Sequence, residues 1–385
     1  MTVHIDWSQA EIVCGQLLAA LRNKQYPYGE DWALPQTFIP KEIRQDPLLW
    51  ARFLFYICHY MRGTIKSDHA VRQLVRVWEE HPEYFDPFSV VNSVSQQELQ
   101  DVLGAKIPYK KEEIAHFWYE NSCRLVQFWQ GDPRTIFDEV TSAADMYERI
   151  TNKRIRGKKP ETADHFGWGF LGFQEKMASM LAYYLMEANL VAEFTASPPV
   201  DFHLCRILVA SRVLVDDEDR TGKLRYEQVA PKGIEVLEGY CRKHNVSLVE
   251  LGNALWMLSV VMCGRSPGNT SSAVQRDENN KKIYPEPNEV NWNNSAHQKA
   301  YLLTCAICPL ELECQFNVFP GAYYQTGEIR TRIRERMPLL KETPLFEKAH
   351  LQVRTDGRRK TASKAKTTET EQFHLGDWPE LRPRE

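Results

Sequence analysis

Apolar residues recur every third or fourth position over 46–62, 68–80, 111–129, 174–190, 203–216, 231–244 and 247–262. That spacing lays one apolar stripe along a helix, so each segment is expected to be helical. Breakers separate them: His81-Pro82, Pro87, Gly104, 131–133, 157–160, 197–199 and 264–268. Two starts carry capping signals, Ser67-Asp68 and Ser95 with Glu98 three residues on. Alternating strand patterns are almost absent. The expected fold class is all-α.

Two segments depart from this rhythm. Residues 264–299 are rich in Asn, Ser and Pro and read as a long polar insertion. The tail 341–385 loses apolar periodicity and carries Arg354, Arg358, Arg359, Lys360, Lys364 and Lys366, a flexible basic segment suited to phosphates. With 385 residues the chain suits two domains. Its 48 basic and 51 acidic side chains give a net charge of −3, which neither marks nor excludes a nucleic-acid binder. The most apolar stretch, 177–194, is interrupted by Glu187 and Glu193, so no membrane span is expected. Residues 1–11 have no basic-then-apolar run and the nine cysteines are odd in number, so a reducing, cytoplasmic setting is expected.

Three of those cysteines crowd together as Cys305-x2-Cys308-x5-Cys314. Two intervening residues let the first pair converge on one centre, and five more return the chain for a third thiol. Cys263 stands at the other neck of the insertion and is the candidate fourth ligand. Four thiolates suit tetrahedral zinc or a [4Fe–4S] cluster. A single closely spaced pair favours iron–sulfur, because structural zinc sites usually come as two paired knuckles. The other five cysteines sit in helical patterns and are expected in the core.

This cysteine run resembles the C-terminal iron–sulfur loop of the helix-hairpin-helix DNA glycosylases of the endonuclease III and adenine glycosylase type, with its first spacing opened by positions 264–304. Two upstream motifs follow in the family's order. Residues 170–178 (FLGFQEKMA) resemble its hairpin L-P-G-V-G-R-K-T-A, and 199–206 (PVDFHLCR) resemble its V-D-T-H-x-x-R. The resemblance spans about 48–316, with 48–87 and 98–128 similar in layout to the family's six-helix barrel. It implies a nucleophilic Lys176, an essential Asp201 oriented by His203, and DNA contacts at Gly172 and Gln174 of the hairpin. Departures are Gln174 and Leu171 where the family has glycine and proline, which weakens the phosphate grip expected of that turn. No counterpart of the adenine glycosylase's catalytic glutamate stands in 50–63. The cluster loop is acidic (309–313, PLELE), so Arg330, Arg332, Arg334 and Arg336 are the alternative source of positive charge.

Together these imply an N-terminal segment 1–45 packing on the cluster domain, a six-helix barrel 46–190 with its hairpin at 165–180, and an aspartate and cluster domain 191–340. The active-site cleft is expected between the two domains. The implied activity is excision of a damaged or modified base from double-stranded DNA, with an AP-lyase step if Lys176 forms a Schiff base. Repair, or defence against phage DNA carrying modified bases, is the expected setting, and a monomer the expected form. A flipped base needs aromatic walls; Tyr60, Tyr109, Trp118, Trp168 and Phe170 are candidates, with His59 or Tyr60 near the wedge position. Glycosylases of RNA bases or nucleotides, and a non-catalytic iron–sulfur nucleic-acid-binding protein, remain open alternatives.

Overall fold

The structure is a computed structural model and describes residues 2–29, 34–61, 65–151, 169–194, 196, 198–216, 223–269, 275–276, 278, 282–283, 289–319 and 327–334. These fall in one compact unit, Met1–Pro338. The basic tail, Arg336 and Trp168 lie outside the described residues.

Thirteen α-helices are described: α1 (Trp7–Arg22), α2 (Lys41–Gln45), α3 (Pro47–Ile57), α4 (Ser67–Glu80), α5 (Pro87–Ser93), α6 (Gln96–Lys106), α7 (Lys111–Trp129), α8 (Ala143–Ile150), α9 (Glu175–Glu187), α10 (Phe202–Ala210), α11 (Tyr226–His244), α12 (Leu248–Val261) and α13 (Ser295–Leu303). Seven short strands accompany them: β1 (Val3–Ile5), β2 (Leu214–Asp216), β3 (Lys223–Arg225), β4 (Gln275–Arg276), β5 (Lys282–Ile283), β6 (Phe316–Phe319) and β7 (Glu328–Ile333). All pair antiparallel, as β1-β2, β3-β7-β6 and β4-β5. The protein is mainly helical, as the periodicity predicts.

Local chemistry explains several boundaries. Three helical starts share an Asp-Pro step. Asp46, Asp86 and Asp132 each accept backbone N–H bonds on a side-chain oxygen, and the following proline supplies the helical φ without losing a needed donor. Ser95 caps α6 by accepting from Glu98 N at 3.1 Å, but the Glu98 carboxylate accepts from Tyr84 instead, so that box is one-sided. The reciprocal capping box is at Ser142 and Asp145. Ser67 is the first residue of α4, not its cap. The pattern over 203–216 splits: α10 ends at Ala210, Arg212 takes a left-handed conformation (φ 60°), and the chain continues as β2 against β1. The insertion holds the β4-β5 hairpin and delivers the chain into α13, which leads to Cys305.

Buried residues form two clusters. The first, within 39–196, is aromatic: Tyr56 stacks on Trp118 at 4.3 Å, Phe53 on Phe85 at 4.9 Å, and Phe55 meets Phe170 edge-on at 5.0 Å. Trp118 donates its indole N–H to Tyr84 O at 2.9 Å, so the ring is buried without an orphaned donor. The second, from 3–28 and 200–329, is mainly aliphatic and built on α1, α10, α11 and α12, with Val318 and Ile329 added from β6 and β7. Leu248–Arg265 is long and apolar enough to cross a bilayer; its Leu251, Leu255 and Leu258 are fully buried in this second cluster.

Inside the first cluster, Asn121 fixes the turn that precedes α9. Its Oδ1 accepts from Leu171 N at 2.7 Å, while its Nδ2 donates to Leu171 O at 3.0 Å and to His59 Nε2 at 2.9 Å. His59 Nδ1 then donates to Tyr56 O at 3.2 Å, so His59 is a neutral core group with a determined tautomer. It is 0% exposed, which removes it as a wedge into the DNA stack. Gly172, at φ 77°, makes the turn between Leu171 and α9 and needs the left-handed conformation a side chain resists.

Candidate functional site: a cavity with two unpaired reactive groups

A cavity of about 110 Å³ is lined from both buried clusters. Lys176 and Asp201 both line it, with His203 beside them. Asp201 is the N-cap of α10: one oxygen, Oδ1, accepts from His203 N at 2.7 Å and from Leu204 N at 3.3 Å. Its Oδ2 has no hydrogen-bond partner among the described residues. One carboxylate thus anchors its helix and keeps an oxygen for the cavity.

Lys176 is the second residue of α9, half-buried, with Met177, Ala178 and Leu181 of the same helix packed in the first cluster. Among the described residues its amine has neither a hydrogen-bond nor an ion-pair partner. No ion pair joins it to Asp201. His203 donates or accepts at Ser259 Oγ (3.2 Å from Nδ1) and lies edge-on to Trp256. Burial lowers its pKa to about 4, partly offset by Asp201 and reinforced by Arg206 and Lys176, so it is neutral near pH 7.

The other expected base contacts fall elsewhere. Tyr60 is fully enclosed in the first cluster, its hydroxyl buried without a partner, and it does not line the cavity. Burial raises its phenol well above the ordinary range. Trp118 and Phe170 are likewise fully buried core residues. Tyr109 packs partly buried against the outside of the same cluster, away from the cavity. Gly172 and Gln174 sit in the turn before α9 rather than in the cavity; Gln174 is exposed and caps α9 without a side-chain bond.

The cavity also contains polar groups that the sequence reading does not single out. Gln36, Ser67 and Asn253 line it, with Trp256 and Tyr183 among its rings. Gln36 and Asn253 both donate to the carboxylate of Glu187, at 2.5 and 2.7 Å. Burial raises the Glu187 pKa, and those two bonds oppose the rise. No local pattern announces this trio, since its members come from a short turn near residue 36, the end of α9 and the middle of α12.

The four cysteines of the spacing motif lie on two short turns and the loop that follows them. Cys263 opens a 3-10 turn directly after α12, Cys305 one directly after α13, and Cys308 and Cys314 follow on the loop into β6. The neck is tied: Cys263 O accepts from Ser266 Oγ and Asn269 Nδ2, both at 3.0 Å, and Asn269 Oδ1 accepts from Val318 N at 2.7 Å. Leu310 N points at Cys308 Sγ at 3.4 Å, an N–H···S contact of the kind that stabilises a thiolate. Burial pushes the Cys263 thiol up to about 12, and the Cys314 and Cys305 thiols push it further, so these thiols lie within electrostatic reach of one another. Cys308 is raised by burial and then by Cys263, Cys305 and Cys314. Among the described residues no three His, Cys, Asp or Glu side chains close into a single-ion site.

Two buried guanidiniums face these thiols, Arg206 acting on Cys263, and Arg334 on Cys263 and Cys305. The thiols of Cys263, Cys305 and Cys308 are thus buried beside two buried guanidiniums, whose charge favours the thiolate forms. If a [4Fe–4S] cluster is bound, Cys263, Cys305, Cys308 and Cys314 are the thiols that would hold it. Arg334 also donates to Glu311 O, Cys314 O and the Glu311 carboxylate, and Arg330 pairs with Glu328. Arg332, the most open of the three, pairs with Glu289 at 3.3 Å. The arginines expected to offer a free positive face are thus engaged within the fold, Arg334 bracing the cysteine loop.

The chain matches no protein-family model, no curated protein and no solved structure.

Proposed function

We propose that this chain is a DNA glycosylase with an associated AP-lyase step, a monomer that removes a damaged or modified base from double-stranded DNA. The scaffold would be of helix-hairpin-helix type, with a barrel built on the aromatic cluster and a [4Fe–4S] domain built on the aliphatic one. The observation that carries the reading is that Lys176 and Asp201, the two positions singled out by the family motifs, line one cavity, the Lys176 amine and Asp201 Oδ2 having no hydrogen-bond partner among the described residues.

As the N-glycosidic bond breaks, the base leaves with the bonding pair and positive charge develops on the sugar. Asp201 Oδ2 supplies the opposing negative charge in a partly desolvated site. The Lys176 amine adds to the anomeric carbon and gives up a proton, the C1′–O4′ bond then breaks with its electron pair going to O4′, which takes a proton, and the resulting Schiff base permits strand cleavage by β-elimination. The cluster would hold the loop 305–314 and the neck at Cys263 in place, since this chemistry moves no electrons through a metal. Excision serves repair, or defence where the base is a phage modification.

The test is incubation with duplexes bearing oxidised, alkylated, deaminated and phage-type bases, scored for abasic sites by alkaline cleavage and for covalent adducts by borohydride trapping. Expected are abasic sites lost in Asp201→Asn and an adduct lost in Lys176→Ala. Asparagine is itself a good N-cap, so Asp201→Asn separates the carboxylate's chemistry from its structural duty. Activity retained in Asp201→Asn overturns the mechanism. Silence across the panel with DNA binding intact moves the assignment to RNA bases or nucleotides, or to a binding protein.

A further inference from the structure

The cavity has a recognition edge as well as a reactive pair. Glu187 is the last residue of α9, the helix that carries Lys176. Each of its carboxyl oxygens accepts one amide, Gln36 Nε2 on Oε2 and Asn253 Nδ2 on Oε1. An amide turned the other way would set its own oxygen against the carboxylate. Glu187 therefore locks both side chains with nitrogen inward and oxygen away. Both residues line the cavity, and neither amide oxygen has a partner among the described residues. Trp256 and Tyr183 add ring surface, the Tyr183 hydroxyl being committed to Val249 O at 2.6 Å.

We propose that Gln36 and Asn253 are the specificity-determining residues of this cavity, and that they select a base edge presenting two hydrogen-bond donors side by side. The ring N–H and exocyclic amino group of guanine, retained in many of its damage products, form such an edge. A base offering acceptors there leaves two desolvated amide oxygens unpaired, and discrimination comes from that loss as much as from bonds gained. The inference rests on the glycosylase reading of the cavity. Glu187 is a positioning residue in it: it touches no base and acts by orienting the two amides.

The test is isothermal titration of the full protein with isocytosine and with cytosine. These isomers have equal size, but only isocytosine places a ring N–H beside the amino group. Isocytosine is expected to bind about tenfold or more tighter. Gln36→Leu and Asn253→Leu should each remove most of that preference. Glu187→Gln, by freeing both amides to rotate, should erase it while leaving summed affinity closer to normal. The duplex cleavage assay runs in parallel, comparing guanine-derived lesions with lesions that carry acceptors on that edge. Equal binding of the isomers, or a preference for cytosine, with cleavage intact overturns the inference and leaves the glycosylase standing. Isocytosine preference without cleavage of any duplex keeps the edge and removes the enzyme. Neither base binding nor cleavage removes both. The isomer comparison uses the unaltered protein, so it stands even where a variant fails to fold.

Discussion

The two buried clusters solve the problem of a core differently. The one within 39–196 is aromatic and polar-pinned: large rings interlock, and the Tyr56–His59–Asn121–Leu171 chain of hydrogen bonds fixes the turn before α9. The one from 3–28 and 200–329 is aliphatic, draws on segments far apart in sequence, and has Cys263, Cys308 and Cys314 packed against it. Rings with directional contacts restrict their own arrangement, whereas an aliphatic core assembled from distant segments would gain register from a cross-link such as the proposed cluster. Lys176 is positioned by the first and Asp201 by the second, so the cavity exists only where both are in order.

The sharpest way to break this comparison is to remove the proposed cluster. Chelation under reducing conditions, or Cys308→Ser, should cost several kcal/mol in the second cluster, on the scale by which structural metal sites support folding. Hydrogen exchange should then deprotect 200–334 and 3–28 while 53–60 and 114–125 stay protected, with loss of the visible iron–sulfur absorbance. Uniform deprotection would show that the two clusters stand or fall together, and a colourless, zinc-bearing protein would remove the cluster assignment. Next in size, Trp118→Ala should cost about 3–5 kcal/mol, since it empties the centre of the aromatic stack and orphans Tyr84 O. Thermal melting measures it.

A smaller effect comes from pH. His203 is lowered from 6.5 to about 4, so as pH falls the unfolded chain takes up this proton first. Stability is full above pH 6.5 and is lost progressively down to about 4, by on the order of 2–3 kcal/mol. His203→Gln should flatten that limb of the stability–pH curve; an unchanged slope would show that the proton is taken up elsewhere. The smallest expected change is in Asp201→Asn, within about 0.5 kcal/mol in stability because the cap survives, against about 1 kcal/mol for Asp201→Ala. Denaturant titration of the two variants separates them.

Much of the helical layout is legible from spacing. α7 occupies the expected 111–129, because its stripe is unbroken and its flanks stop it: Gln130 and Gly131 both take left-handed conformations. Prolines 87 and 133 read as breaks, yet they begin helical turns, since a preceding aspartate turns a stop into a start. The run after Ala210 reads as helix because Val213, Leu214 and Val215 are apolar, but its β-branched residues pair with β1 once that strand is beside them. Lys176 and Asp201 are legible because each sits in a contiguous motif. Gln36, Glu187 and Asn253 are not, because their relation is a contact between side chains from three distant segments. Tyr60 was misplaced for a related reason: periodicity assigns it to a helical neighbourhood but does not say that this turn lies wholly inside the core.

The knot at the neck of the insertion bears on how the segment beyond it can change in length. Cys263 is fixed by Ser266 and Asn269, both within six residues of it, and Asn269 is tied in turn to β6. On the other side α13 returns it to Cys305. The ligand geometry is therefore insulated from whatever hangs between, and lengthening a loop costs only about 0.6 kcal/mol per doubling. A change of length within 270–288 would therefore leave Cys263 and Cys305 where they are, a cheap alteration beside any change to the neck itself.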